Sequence, residues 1–272
     1  MAILAIDIGN TSVLVGCLEG EWIRFTSHFA ADPNKTDDEY AMMLMGMLSL
    51  HQIHPAEIEG SIIASVVPVL RHMFSHALKK ILGKTPLVVG SGLRTGLNIR
   101  IDNPAQLGSN LVVDAVAACQ RYPKPILIFD MGAATTLSVI DKEGSYIGGM
   151  IMPGLRLSVD ALSSRASHLP NISFDEPEQL IGTNTINCMQ AGAIYGHAAM
   201  LDGVADRAES ALGCPCTAVI TGSLAPSVIP YCKREIIYDE TLVLRGLRIL
   251  YEKNRTGRPA GMGGGNSNSS DG

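Results

Sequence analysis

Two short turns carry the residues best suited to chemistry in this chain of 272 residues. An apolar run over residues 2–6 ends in Asp7-Ile8-Gly9-Asn10-Thr11, and a second over residues 126–129 ends in Asp130-Met131-Gly132-Ala133-Ala134. Each pattern predicts a buried strand, a tight glycine turn and a returning strand. Glycine has no Cβ, so the N–H groups of such a turn can reach phosphate oxygens. The acid that ends each strand lies where a bound cation would balance the phosphate charge.

The repetition of this turn predicts two similar lobes that close on a nucleotide, the plan of the actin-like sugar kinases and chaperone ATPases. The expected fold class is α/β, with two actin-like (ribonuclease H-like) lobes that are each a mixed sheet flanked by helices. A third glycine turn, Thr221-Gly222-Ser223-Leu224, follows where an adenosine contact is needed. Ordinary hairpin turns are the competing interpretation of all three.

The lobes are expected to comprise residues 1–118 and 119–255. Residues 256–272 are rich in Gly, Asn and Ser and predict a disordered tail. Helical spacing of apolar residues predicts helices over 37–50, 70–82, 108–122, 155–162, 184–212 and 242–251. The helix over 184–212 contains Gly192 and Gly196, where it could be interrupted. Buried strands are predicted over 61–67, 86–89 and 218–223.

Composition excludes several classes of function. The chain is 46% hydrophobic and 17% charged, with a formal charge of −5, which argues against a nucleic-acid surface. It has no run of 18 apolar residues, so we expect no membrane span. Asp7 interrupts the first apolar run, so we expect no signal peptide. The six cysteines form no disulfide framework and predict reduced thiols in a cytoplasmic protein.

The chain resembles the type III pantothenate kinases over residues 1–254, through short motifs that follow the family's order. The motifs are Asp7-Ile8-Gly9-Asn10-Thr11, Gly96-Leu97-Asn98-Ile99, Asp102-Asn103-Pro104, Gly108-Ser109-Asn110-Leu111, Asp130-Met131-Gly132, Gly148-Gly149-Met150-Ile151-Met152-Pro153-Gly154, Leu169-Pro170, Gly182-Thr183-Asn184-Thr185, Met189-Gln190-Ala191-Gly192, Thr221-Gly222-Ser223-Leu224-Ala225 and Gly246-Leu247.

The resemblance implies a function. Members transfer a phosphoryl group from ATP to pantothenate, giving 4'-phosphopantothenate in the first committed step of coenzyme A biosynthesis. They use a divalent cation, Mg²⁺, and a monovalent cation, K⁺ or NH₄⁺. They are homodimers whose site lies near the subunit interface.

The resemblance also implies site residues. Nucleotide contacts fall on Asp7, Ile8, Gly9, Asn10, Thr11, Ser12, Val13, Leu14, Gly132, Ala133 and Gly222. Asp130 is the expected ligand of the monovalent cation, and Asp7 is a candidate ligand of Mg²⁺. Gly108, Ser109, Asn110, Leu111 and Thr185 are expected to contact pantothenate. An N-cap of the following helix is another role for Thr185.

Several positions depart from the family's sequence. Two of them fall in the pantothenate motif, which in the family reads Gly, a small residue, Asp and Arg, and two fall at the second turn. Asn110 stands at the position of the base and cannot accept a proton at neutral pH. Leu111 replaces the Arg that holds the substrate carboxylate, and Ala133 and Ser138 replace a Thr and an Asp. Three interpretations stay open: drift in a working kinase, a paralogue that binds a nucleotide or other ligand and regulates, and a kinase for a different small alcohol.

Asp114 offers a substitute for the missing base. It follows Asn110 by four residues and therefore lies on the same helix face. An ordinary exposed helical Asp is the competing interpretation. The arginine that Leu111 replaces could be substituted by Arg94, Arg100 or Arg165.

Overall fold

The computed structural model of the chain describes residues 2–166 and 168–255. Their strands form two mixed sheets, each flanked by helices, as the sequence predicts. The predicted tail, residues 256–272, lies outside the described residues. None of the described helices is long and apolar enough to cross a membrane.

The first sheet is built around the opening strand. Its order is β3-β2-β1-β4-β5. The strands are β1 (Ala2–Ile8), β2 (Ser12–Glu19), β3 (Trp22–Ala30), β4 (Ile58–Ser65) and β5 (Leu87–Val88). β1 pairs antiparallel with β2 and parallel with β4, which confirms the predicted hairpin. Both faces of β1 are covered, because Leu4 and Ile6 enter one apolar core and Ile3 and Ala5 enter another.

Two helices cover one face of this sheet, α1 (Asp37–Leu50) and α2 (Pro68–Leu82). α1 begins at the predicted residue because Thr36 and Glu39 form a reciprocal capping box. α2 begins two residues earlier than predicted, at Pro68, which is preorganised for the first helical position. It ends at Gly83, whose φ of +66° is left-handed.

The second sheet repeats the central pairing of the first. Its order is β11-β10-β7-β8-β9-β6. The strands are β6 (Asn98–Ile99), β7 (Ile126–Met131), β8 (Ala134–Ile140), β9 (Ser145–Pro153), β10 (Thr217–Thr221) and β11 (Ile237–Tyr238). β7 pairs antiparallel with β8 and parallel with β10, just as β1 pairs with β2 and β4.

The helices of the second half are α4 (Leu155–Arg165), α5 (Thr185–Leu212) and α6 (Ala225–Val228). α5 is continuous, so the suggested interruption at Gly192 and Gly196 is wrong. A Cβ at either glycine would meet no atom within 4 Å. Burial of Ile194, Ala198 and Leu201 keeps the helical period and holds α5 on the sheet.

Two helices connect the sheets, α3 (Ser109–Arg121) and α7 (Leu242–Arg255). They pack on each other so closely that a Cβ at Gly246 would lie 2.2 Å from the Val113 carbonyl oxygen. α7 also packs on β1 and β4, while α3 contacts β4, β7 and β8. The predicted boundary at residue 118 falls inside α3, and this division of the chain stays a prediction.

Candidate active site

The three glycine turns line one cleft of about 420 Å³. The turns come from the ends of β1, β7 and β10, and the start of α3 closes the cleft between them. Of the sequence-predicted residues, those in the lining are Asp7, Ile8, Gly9, Asn10, Thr11, Ser12, Leu14, Asn110, Asp114, Asp130, Gly132, Ala133 and Gly222.

Local backbone contacts shape the turns. The Gly9 N–H donates to the Ser12 carbonyl at 3.0 Å and closes the first turn. Gly222 has a φ of +102°, and a Cβ there would lie 2.6 Å from the Met131 carbonyl oxygen. The third turn therefore needs glycine to pack against the end of β7. Since Asp130 pairs with Thr221 across β7 and β10, the second and third turns begin side by side.

Five predicted site residues lie outside this lining, one of which, Thr185, lines another cavity. Val13 is fully buried in the core of the first sheet. Gly108, Ser109 and Leu111 flank Asn110 without lining the cleft. The Ser109 hydroxyl accepts from the Ser65 N–H at 3.1 Å and donates to its carbonyl at 3.0 Å. These bonds tie the start of α3 to the end of β4 and so position Asn110.

Three carboxyl groups lie together in the cleft. Burial, and then repulsion from Asp130, raises the pKa of Asp7 to about 7. Burial raises the pKa of Asp130 to about 6, while the hydrogen bond from Asn110 opposes that rise. Burial, and then repulsion from Asp130 and Asp7, raises the pKa of Asp114 well above its usual range. Among the described residues, neither Lys nor Arg lines the cleft, so no such side chain there offsets these carboxyl groups.

Asp114 is buried, at 2% exposure, although it lines the cleft. The interpretation of Asp114 as an ordinary exposed helical residue is wrong, because α7 and the second sheet cover this face of α3. Its Oδ1 atom has no hydrogen-bond partner among the described residues. Asn110 lies one turn earlier, and its Nδ2 donates to Asp130 Oδ2 at 3.5 Å.

These carboxylates fit bound cations. Oxygen ligands suit hard cations such as Mg²⁺, and a cation would offset the cost of burial that raises all three pKa values. No group of three or more His, Cys, Asp or Glu side chains in the described residues could hold a metal ion alone. Phosphate, hydroxyl or backbone oxygens would have to complete the coordination. Thr136, whose buried hydroxyl has no partner in the described part of the chain, lies in the same lining.

The candidate arginines do not reach the cleft. Among the described residues that line it, His28 is the one basic side chain. Arg94 is exposed and hydrogen bonds through its backbone to Asn254. Arg100 pairs with Asp141 at 3.7 Å, and Arg165 is exposed near the end of α4. None of the three replaces the charge that Leu111 lacks.

Thr185 lines a different cavity, of about 660 Å³, formed mainly by α4 and α5. The N-cap of α5 is Asn184, whose Oδ1 accepts from the Asn187 N–H at 2.9 Å. The alternative that Thr185 is that N-cap is therefore wrong. Within one chain, Thr185 and Asn110 line separate cavities.

Sequence reasoning missed several polar residues of the cleft, namely Thr26, His28, Thr136, Glu240 and Thr241. Thr26 and His28 alternate along β3 and so share a face, and His28 is opposite Leu14. That signal becomes readable only when β3 is known to lie beside β2. Glu240 and Thr241 follow β11, which is too short to predict from a pattern.

A family model described as type III pantothenate kinase matches residues 3–207. A type III pantothenate kinase of Moorella thermoacetica is 39% identical over 252 residues, which cover 93% of this chain and 99% of the relative.

Solved structures share the fold at lower identity. A ROK hexokinase from Thermus thermophilus matches with a TM-score of 0.53 at 11% identity, covering 94% of this chain and all of that one. The activator of 2-hydroxyisocaproyl-CoA dehydratase from Clostridium difficile, with bound ADPNP, has a TM-score of 0.53 at 13% identity and covers 96% of this chain and all of that one. At these identities, both matches show that the fold is shared and nothing more.

Proposed function

This chain belongs to the type III pantothenate kinase family, and from that premise we propose that its three-turn cleft transfers a phosphoryl group from ATP to pantothenate. The family implies an ATP-dependent kinase of coenzyme A biosynthesis that uses a divalent metal. The observation that carries the proposal is the meeting of two acid-led glycine turns in one cleft. The relatives do not favour a regulator or a kinase for another alcohol.

The turns supply what phosphoryl transfer needs most, which is positioning and neutralisation of charge. Residues 7–12 and 132–134 present backbone N–H groups and hydroxyls to the phosphates of ATP. Gly222 brings the third turn against β7, and this turn is the proposed contact for adenosine. Thr136 lines the same cleft, and its unpartnered hydroxyl is a further candidate contact for these phosphates.

Asp7 and Asp130 hold the cations in this proposal. Asp7 binds Mg²⁺, and Asp130 binds K⁺ or NH₄⁺. When bound, these ions offset the negative charge of the phosphates and of the buried carboxylates. The support is that both acids line the cleft at the ends of β1 and β7, where burial raises the pKa of each and a bound cation would oppose that rise.

Pantothenate binds at the start of α3, where Gly108, Ser109, Asn110 and Leu111 follow one another. Asn110 reaches the cleft, and the Ser109 contacts hold that end of the helix in place. Leu111 offers the substrate carboxylate no charge, and the lost contact costs about 1.5–3 kcal/mol. We therefore expect a high KM for pantothenate.

The active form in this proposal is a homodimer in which Thr185 contributes to the pantothenate site. Large apolar side chains near Thr185 are exposed, with Ile181 80% and Leu180 61% accessible. Ile151, on the rim of the cleft, is 80% exposed as well. A second subunit that covers these side chains would bring the two cavities together. A mass of one chain in sedimentation equilibrium would contradict the dimer.

The compartment proposed for the enzyme is the cytoplasm. All six cysteines are free thiols, and three of them, Cys17, Cys216 and Cys232, have pKa values raised to about 11 by burial. Reduced, unreactive thiols of this kind are typical of reducing compartments.

A coupled assay of ADP formation tests the function. The wild-type protein with ATP, Mg²⁺ and K⁺ should form ADP only when pantothenate is added. Asp130→Asn should lower that rate at least tenfold, because it removes the proposed ligand of the monovalent cation from the cleft. Glu143→Gln, at an exposed position on the turn after β8, should leave the rate unchanged. A rate of ADP formation that does not depend on pantothenate would contradict the proposal, and so would the absence of ADP formation.

A further inference from the structure

Asn110 and Asp114 place an amide and a carboxylate on one face of α3, one helical turn apart. Both side chains line the cleft that also contains the ends of β1 and β7. The reaction assigned to this cleft releases a proton from the substrate hydroxyl. One of these two groups is therefore the natural candidate to accept it.

Asn110 cannot take that proton, because an amide is not basic at neutral pH. Its side chain is also engaged. Nδ2 donates to Asp130 Oδ2 at 3.5 Å, and Oδ1 turns back toward Gly108, where an added Cβ would lie 2.9 Å away. Asn110 therefore orients Asp130 and the start of α3 instead of receiving a proton.

Asp114 has the features that Asn110 lacks. Its side chain is 98% buried by its neighbours, and its Oδ1 has no hydrogen-bond partner among the described residues. An unpaired carboxylate oxygen of this kind is costly to bury and rare in folded proteins. Asp114 lines the cleft, so a ligand group that donates a hydrogen bond, such as an alcohol, could reach its carboxylate.

We propose that Asp114 is the general base of this kinase, an assignment that rests on the proposed function. The substrate hydroxyl donates its proton to the Asp114 carboxylate while its oxygen forms the new bond to the γ-phosphorus. The bond between that phosphorus and the β,γ-bridging oxygen breaks, and ADP leaves with the electron pair. The proton passes from Asp114 to solvent after the products leave.

The test compares three proteins with the wild type, using pantothenate, ATP and Mg²⁺. Asp114→Asn keeps the size and removes the base, so kcat should fall about 10²–10⁴-fold with the Kd for ATP within threefold. Asn110→Asp combined with Asp114→Asn returns a carboxylate to the same helix face. Its kcat should be at least tenfold higher than that of Asp114→Asn alone. Asp206→Asn changes an exposed helical acid on α5 and should leave kcat unchanged. Circular dichroism and melting temperature check that each variant folds.

Each outcome decides between roles. A kcat of Asp114→Asn within threefold of wild type overturns the assignment. Recovery of Asp114→Asn by raised Mg²⁺ alone also overturns it, because Asp114 would then be a cation ligand. If the wild type forms no ADP with pantothenate, the proposed function is wrong, and the assignment of Asp114 as its base is wrong as well. If the wild type is active and Asp114→Asn is equally active, the base alone is wrong.

Discussion

At the scale of single residues, the cleft contains acids whose ionisation is disfavoured by burial. The pKa of Asp7 is raised to about 7 from an ordinary value of 3.8, first by burial and then by Asp130. Between these pH values the folded protein binds this proton more tightly than the unfolded chain does. The resulting stabilisation is complete below pH 3.8 and is lost as the pH rises toward 7.

Asp7→Asn should therefore stabilise the metal-free protein at pH 8. Removing the buried charge should raise the free energy of unfolding there by on the order of 2 kcal/mol, with little change at pH 4. Urea unfolding in EDTA at the two pH values measures this, with Asp206→Asn as the control. Equal slopes of stability against pH for the wild type and Asp7→Asn would show that Asp7 is not buried as a charge.

The same residues show how far sequence alone can lead. Asp7 and Asp130 could be picked out because the same acid and glycine spacing recurs after two apolar runs. The burial of Asp114 could not, because it depends on α7, whose residues come more than a hundred positions later. Thr185 was a candidate N-cap of α5, but the N-cap is Asn184. Asn184 directly precedes the helix, and its side-chain oxygen accepts a hydrogen bond from a backbone N–H of the first turn.

At the scale of elements, the contact between α3 and α7 positions the cleft. A Cβ at Gly246 would lie 2.2 Å from the Val113 carbonyl oxygen, and backbone atoms cannot turn aside as a side chain can. Val113 precedes Asp114 on α3, so any displacement of α7 is transmitted to the proposed base. The close packing of the two helices therefore holds the catalytic face of α3 in place.

Gly246→Ala should separate these helices. We expect it to lower the free energy of unfolding by about 1–3 kcal/mol and to reduce kcat more than tenfold. Gly46→Ala is the matched control, because a Cβ there meets no atom within 4 Å in the middle of α1. That change should raise stability by about 0.5–1 kcal/mol. Thermal melts of both variants are the measurement, and equal melting temperatures would contradict the account of this contact.

Long elements were predictable, and short ones were not. The helical period identified α1 and α2 to within two residues because many buried positions repeat along each helix. β6 and β11 contain two residues each, which is too few for any period. Their places in the second sheet come from pairing with β9 and β10, an effect of the whole fold.

At the scale of the whole molecule, two sheets repeat one arrangement. β1 and β7 each have an antiparallel neighbour that follows in the chain and a parallel neighbour on the other side. Each central strand therefore ends in an acid at the same cleft, although the chain between them spans more than a hundred residues. The fold is shared with a hexokinase at 11% identity, which shows how little it depends on particular side chains.

The central claim is that this one cleft transfers the γ-phosphoryl group of ATP to pantothenate. Phosphorus NMR of the wild-type protein with ATP, Mg²⁺, K⁺ and pantothenate follows the group directly. We expect a phosphomonoester signal that grows in equal amount with ADP, and no signal for inorganic phosphate. Growth of inorganic phosphate in its place, or an undiminished γ-phosphate signal, would contradict it.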